Sequence, residues 1–325
     1  MVVTPLPWQR DLWQRLIRQQ DAGRLAHALL ISGPHGVGKH DFADALIART
    51  LCHAPGNTAC GECHACHMLA SGYHPDLLDI TPAEKRRQIR IDPIRQVNAF
   101  VSQTAQQGGY RVIRLHPAEA MNVAASNALL KSLEEPGAKT LFVLLADIPS
   151  RMLPTIRSRC QHWSLGVPEP HSALEWLNER FEDPEQARFW LRVAGGLPQF
   201  AVELAEGRGL RQELRELFDA LVRGAEPVAE AARLDPQSLD RVLWYGIVWL
   251  EDLIRLGVSG EAQHVRNPDL LPLYRQAAKN ARVRDWFRLL DYAREQRRLI
   301  AAGGNPNAQL VLEAWLVRWA SLLRS

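Results

Sequence analysis

The chain has 325 residues, 46% of them hydrophobic and 23% charged, with a formal net charge of +3. That length exceeds what a single hydrophobic core organises and predicts two or three domains of an ordinary globular protein. The absence of any run of about 18 uncharged apolar residues excludes a membrane span, and a charge this small and dispersed excludes nucleic-acid binding argued from charge alone.

In Met1–Gln20, Trp8, Arg10, Asp11 and Arg15 stand where a signal peptide needs an apolar core, so a cytoplasmic protein is expected. From Arg24 to about Leu165, short apolar runs alternate with helical stretches, the pattern of a parallel sheet with crossover helices. In chain order this predicts a strand at Ala28–Ser32, a helix at Asp41–Cys52, a strand at Asp76–Ile80 and a helix at Ile94–Thr104. A strand at Arg111–Leu115, a helix at Ala124–Glu135 and strands at Leu141–Ala146 and His162–Leu165 complete the domain. Leu141–Leu145 is uninterrupted and apolar, as a strand buried on both faces requires. Asp92 suits a cap and Pro93 the first turn of the second helix.

Val167–Pro170 contains two prolines and marks a boundary. Beyond it only helices are predicted: Ser172–Phe181, Glu185–Val193 and Gln199–Glu206, then, after a break at Gly207–Gly209, a long helical region to the C-terminus. There Leu243, Ile247, Leu250 and Ile254, and likewise Leu312, Leu316 and Trp319, recur at helical spacing. The tryptophans Trp244, Trp249, Trp286, Trp315 and Trp319 read as helix packing ahead of a ligand box.

Three constellations carry chemistry. Gly33-Pro34-His35-Gly36-Val37-Gly38-Lys39 follows a strand and opens a helix, the setting of a P-loop. Gly33, Gly36 and Gly38 let backbone amides curl around phosphate, and Lys39 reaches the outer phosphates. The next residue should be a Ser or Thr that binds Mg²⁺ but is His40, a poor partner for a hard cation. The strand ending at Leu115 is followed by His116 and Pro117 in place of metal-holding acids, with Glu119 expected to have entered the next helix. Two losses of metal chemistry argue against hydrolysis, while nucleotide occupancy stays open.

The second constellation is Cys52, Cys60, Cys63 and Cys66, spaced C-x7-C-x2-C-x2-C. This spacing suits four thiolates on one tetrahedral Zn²⁺, Gly61 serving the turn, and a closed four-sulfur site is structural. His53, His64 and His67 are expected to be exposed or outside the ligand set, and a zinc-ribbon DNA reader is the alternative. The third is Arg159, in Leu153–Cys160 after Pro149-Ser150-Arg151. It could serve a neighbouring subunit's phosphate in trans, or bond a local carbonyl or acid. Lys85, Arg86, Arg87 and Arg90 read as a solvated loop ahead of a DNA track.

Together, GPHGVGKH, the cysteine insert, Asn127–Pro136 (NALLKSLEEP) and Ser158-Arg159-Cys160 closely resemble the delta-prime subunits of the bacterial DNA polymerase III clamp loader, members of the AAA+ superfamily. The match is dense over the α/β region, looser beyond it, and in the C-terminal region rests on helical character and Asn305–Trp319. The resemblance implies an AAA+ α/β P-loop domain at 1–166 with a five-stranded parallel sheet and a zinc-binding insert at 52–66. It further implies a small helical lid at 167–207 and an all-α collar at 208–325 that assembles a hetero-oligomeric, pentameric loader. The partners it implies are gamma/tau and delta subunits, with the beta sliding clamp and primed DNA engaged through the complex and no membrane. Against gamma/tau, the loop threonine corresponds to His40, the Asp-Glu pair to His116-Pro117 and the lid arginine to Pro198. No intrinsic ATPase or polymerase activity is therefore expected of this subunit, and the resemblance makes Arg159 a trans arginine finger. An active ATPase and a zinc-dependent DNA-binding module are the rival readings.

Overall fold

A computed structural model describes residues 3–83, 88–279 and 281–323. Lys85, Arg86 and Arg87 of the basic run lie outside the described residues. The chain divides into two compact units, Met1–Ala187 with Gly196–Ala201 and Arg188–Gly195 with Val202–Ser325.

The first unit is built on a parallel sheet of five strands in the order β2-β3-β4-β1-β5. Its strands are β1 (Ala28–Ser32), β2 (Leu77–Ile80), β3 (Arg111–Leu115), β4 (Thr140–Ala146) and β5 (Gln161–Ser164). β1 and β4 are buried along their whole length, because helices cover both faces of a parallel sheet. They pair in register from Ala28 opposite Phe142 to Ser32 opposite Ala146. Ala28, Leu30, Phe142 and Leu144 enter one core, with Ile94, Val97, Leu129 and Leu133 from α4 (Ile91–Val101) and α5 (Val123–Glu134). Leu29, Ile31, Val143 and Leu145 enter the other, with Trp13 and Leu16 of α1 (Arg10–Asp21) and Phe42 and Leu46 of α2 (Lys39–Leu51). The period-two alternation of the strands thus fills two cores at once. The unit also holds α3 (His64–Ala70), α6 (Pro154–Arg157) and α7 (Pro170–Asn178).

Several boundaries differ from the sequence expectation. β2 begins at Leu77, because the buried Asp76 carboxylate accepts from the Gln106 and Gln107 amides at 2.7 and 2.9 Å and holds a loop instead. α4 begins at Ile91 with Arg90 as the N-cap residue, so Asp92 does not cap; it lies in the first turn, where its charge favours the helix dipole. α2 starts at Lys39, earlier than Asp41, since the chain turns into the helix directly from Gly38. β5 ends at Ser164, one residue short of Leu165.

Helices α8 (Pro184–Val193) and α9 (Pro198–Glu206) contribute to both units. The second unit is otherwise α10 (Arg208–Val222), α11 (Pro227–Ala231), α12 (Leu239–Ser259), α13 (Leu271–Ala277), α14 (Val283–Ala301) and α15 (Ala308–Leu323). Trp249, Trp286, Trp315 and Trp319 are buried. They pack as an aromatic core, Trp286 and Trp315 lying 5.6 and 5.7 Å from Trp319 between ring centroids, so the stripe is helix packing. Gly246 of α12 makes room for it: a Cβ there would lie 2.4 Å from the Trp315 ring. Among the described residues no helix is long and apolar enough to cross a membrane.

Candidate phosphate-loop site and metal centre

The loop between β1 and α2 turns through Gly36 and Gly38 at φ of +79° and +90°, a conformation that L side chains rarely adopt. Each glycine is also closely covered. A Cβ on Gly36 would lie 2.4 Å from Phe200 Cβ, and one on Gly38 would lie 2.3 Å from Leu6 and 2.7 Å from Gln9 Nε2. The Gln9 amide donates to the carbonyls of Val37 and Gly38 at 3.3 and 2.7 Å, and the Trp8 indole donates to Val37 at 2.9 Å. From the other side the Gln199 amide nitrogen donates to Gly36 O at 3.2 Å, and its side chain donates to Asp41 at 2.7 Å. Phe200 and Gln199 thus cover the loop from the turn where the family resemblance places Pro198, the first residue of α9.

Lys39 is 5% exposed. Its ammonium donates to Gly33 O at 2.9 Å and Pro34 O at 2.8 Å and is ion-paired with Asp147 at 2.6 Å. Sequence reasoning did not identify Asp147. Glu119 lies in the next helical element, the short 3-10 helix Ala118–Ala120, where Oε1 accepts from the amides of Asp147 and Ile148 at 2.8 and 3.0 Å.

Where metal chemistry would be expected, His40 and His116 stand edge to face with ring centroids 4.8 Å apart. His116 Nε2 lies 3.3 Å from Asp79, and Arg114 forms ion pairs with both Asp44 and Asp79. Desolvation, then the neighbouring His116 and Arg114, lowers the pKa of His40, although the residue as a whole stays exposed. Burial also opposes the charge of Asp79, but hydrogen bonds from His116 and Arg114 hold its carboxyl well below the usual carboxylate range. Burial raises the pKa of Asp44. The cluster is an internally neutralised network in which a guanidinium spans two carboxylates.

Cys52, Cys60, Cys63 and Cys66 bring their sulfurs within 4.8 Å of one another. The separations are 3.4 Å for Cys52–Cys60 and 3.9 Å for both Cys52–Cys63 and Cys60–Cys66. A tetrahedral ion with metal–sulfur bonds of about 2.3 Å requires sulfurs about 3.8 Å apart, so this donor set can hold one metal ion. Backbone amides of Glu62 and Cys63 point at the Cys60 sulfur and lower its pKa, whereas burial raises Cys52 and pushes Cys66 up to about 12. His53, His64 and His67 are exposed and outside this ligand group.

Arg159 lies between α6 and β5. Its Nε donates to Glu134 Oε1 at 2.9 Å, its Nη2 is paired with the same oxygen, and its Nη1 donates to Thr155 O at 2.9 Å. The local carbonyl-and-acid contact foreseen as an alternative is therefore made, on a side chain that stays 35% exposed.

A phosphate loop beside a central parallel strand, in a sheet ordered β2-β3-β4-β1-β5 and followed by helices, defines an AAA+-type P-loop α/β protein. Residues 8–169 match the family described as "DNA polymerase III, delta subunit", and residues 210–321 match "DNA polymerase III, delta subunit, C terminal". The chain is 37% identical to the DNA polymerase III subunit delta' of Pseudomonas aeruginosa, with 97% of each chain covered. It is 32% identical to that of Escherichia coli over 82% of this chain and 81% of the other. With Haemophilus influenzae delta' the identity is 40% over 77% of each. The chain belongs to the family of DNA polymerase III delta-prime subunits.

Proposed function

We propose that this chain is a non-hydrolysing delta-prime subunit of a cytoplasmic clamp loader, helping place the beta sliding clamp on primed DNA beside gamma/tau and delta subunits. One observation carries the loss of hydrolysis: His40 and His116 stand edge to face, with His116 against Asp79, at the two positions where a P-loop ATPase supplies a metal-binding hydroxyl and acids. An imidazole pair offers no oxygen ligands to Mg²⁺.

The domain organisation of this reading is an AAA+ domain at 1–166, a lid at 167–207 and a collar at 208–325 that joins a five-subunit assembly. Exposed Leu310 and Val317, one helical face of α15, support an oligomerising collar. Arg159 acts in trans on the ATP site of a gamma/tau neighbour. Its partial exposure and its replaceable partner Glu134 support that role. Cys52, Cys60, Cys63 and Cys66 hold a structural Zn²⁺, which would lock the insert by bonding to four crowded thiolates and offsetting part of their charge. The closed ligand set supports a structural site, and the lack of any Lys or Arg between Cys52 and Cys66 counts against a DNA reader.

The purified chain, given ATP and Mg²⁺ in the absence of other subunits, is expected to show no turnover above background. Turnover that disappears in Lys39→Ala would overturn the proposal in favour of an active ATPase.

A further inference from the structure

An ammonium group has three protons to donate, and Lys39 has three acceptors: Gly33 O, Pro34 O and Asp147 Oδ1. The phosphate-loop cation is therefore fully used within the chain. Asp147 is placed for this by its backbone. It is the first residue past β4, and Glu119 pins the following turn by accepting from the Asp147 and Ile148 amides. The other oxygen of Asp147 lies 3.9 Å from His35 Nδ1, within the loop itself. Two loop residues thus face one carboxylate, while Phe200 and Gln9 cover the glycines.

We propose that Asp147 serves as an internal anion in the phosphate loop, so that polyphosphates enter only when this carboxylate is displaced. A carboxylate 2.6 Å from the ammonium cancels the charge that would attract phosphate and repels the phosphate oxygens. The excluded ligands are pyrophosphate and nucleoside diphosphates, whose anionic groups the loop amides and Lys39 would otherwise cradle. The inference deepens the reading of the chain as non-hydrolysing: it concerns binding, which needs no metal, whereas hydrolysis does.

Calorimetric titration of the full chain with ADP and with pyrophosphate, in EDTA, tests the proposal. Asp147→Asn keeps the backbone amide bonded to Glu119 and removes the charge. It is expected to bind both ligands at least tenfold more tightly than the unaltered chain, and Asp147→Asn combined with Lys39→Ala is expected to lose the gain. Asp147→Ser, with circular dichroism confirming native helix content, provides a second route if the asparagine variant folds poorly. Equal affinity in the unaltered chain and a folded Asp147 variant overturns the proposal, as does a gain that survives loss of Lys39. Because metal is excluded, these outcomes are independent of any ATP turnover measured with Mg²⁺.

Discussion

Replacing Arg159 by alanine separates a finger that acts in trans from a side chain that merely braces its own domain. The local contacts set the scale for bracing. The pair with Glu134 is surface-exposed, at 35% and 50% for the two side chains, a setting worth about 0–1 kcal/mol. The bond to Thr155 O adds about 1 kcal/mol. Releasing Arg159 therefore costs roughly 2 kcal/mol at most on these figures. A guanidinium supplied in trans to a phosphate is worth about 10³–10⁵ in rate in nucleotide hydrolases, or roughly 4–7 kcal/mol, so exchanging Glu134 for a neighbour's phosphate is favourable in the transition state. In a complex reconstituted with gamma/tau and delta subunits, Arg159→Ala should lower ATP turnover while leaving assembly intact. Glu134→Ala, which frees the same guanidinium, should keep turnover at or above the starting level. In the isolated chain both variants should lose less than about 2 kcal/mol in urea unfolding. The reasoning is refuted if the assembled Arg159→Ala complex turns over ATP at the unaltered rate.

Metal removal should unseat the insert: the chain is expected to carry one zinc per molecule by elemental analysis, and Cys60→Ser to lose it with a fall in Tm. A chain of unchanged Tm after complete chelation would exclude a structural metal. Stability should also fall in acid in two stages. The His40 pKa is lowered in the folded state, so its contribution is present above about pH 6.5 and is lost as the pH falls through the folded pKa. Asp79 is also depressed, and its contribution is lost only below the ordinary carboxylate range. His40→Gln should flatten the first stage, read from urea unfolding between pH 7 and 5, by an amount that solvent screening of this exposed side chain keeps small. Identical slopes would show that folding does not lower the His40 pKa.

The fold was legible where burial is continuous. β1 matches its expected span because Ala28–Ser32 is almost wholly apolar, and β3 matches because Val112, Ile113 and Leu115 still mark a buried strand despite Arg111 and Arg114. The cysteine centre was legible because its spacing is local, and the loss of acids after β3 could be read directly at His116 and Pro117. Asp147 was missed although a signal existed: it is the first acid beyond the apolar run of β4, at the carboxyl end of a parallel strand, where such sheets present ligand groups. The contacts of Phe200, Gln199, Trp8 and Gln9 with the loop left no local trace, since they come from distant segments and depend on tertiary packing. Glu119 was expected in a helix and lies in a 3-10 helix, but its bonds to the Asp147 and Ile148 amides depend on tertiary packing and left no local trace.

The measurement that bears most directly on the proposed role is clamp loading by reconstituted subunits, with this chain included or omitted. One copy of the chain should enter a five-subunit complex with gamma/tau and delta, seen by native mass spectrometry, and loading of the beta clamp onto primed DNA should depend on it. A chain that stays apart from those subunits, or loading that proceeds equally well without it, would contradict the account.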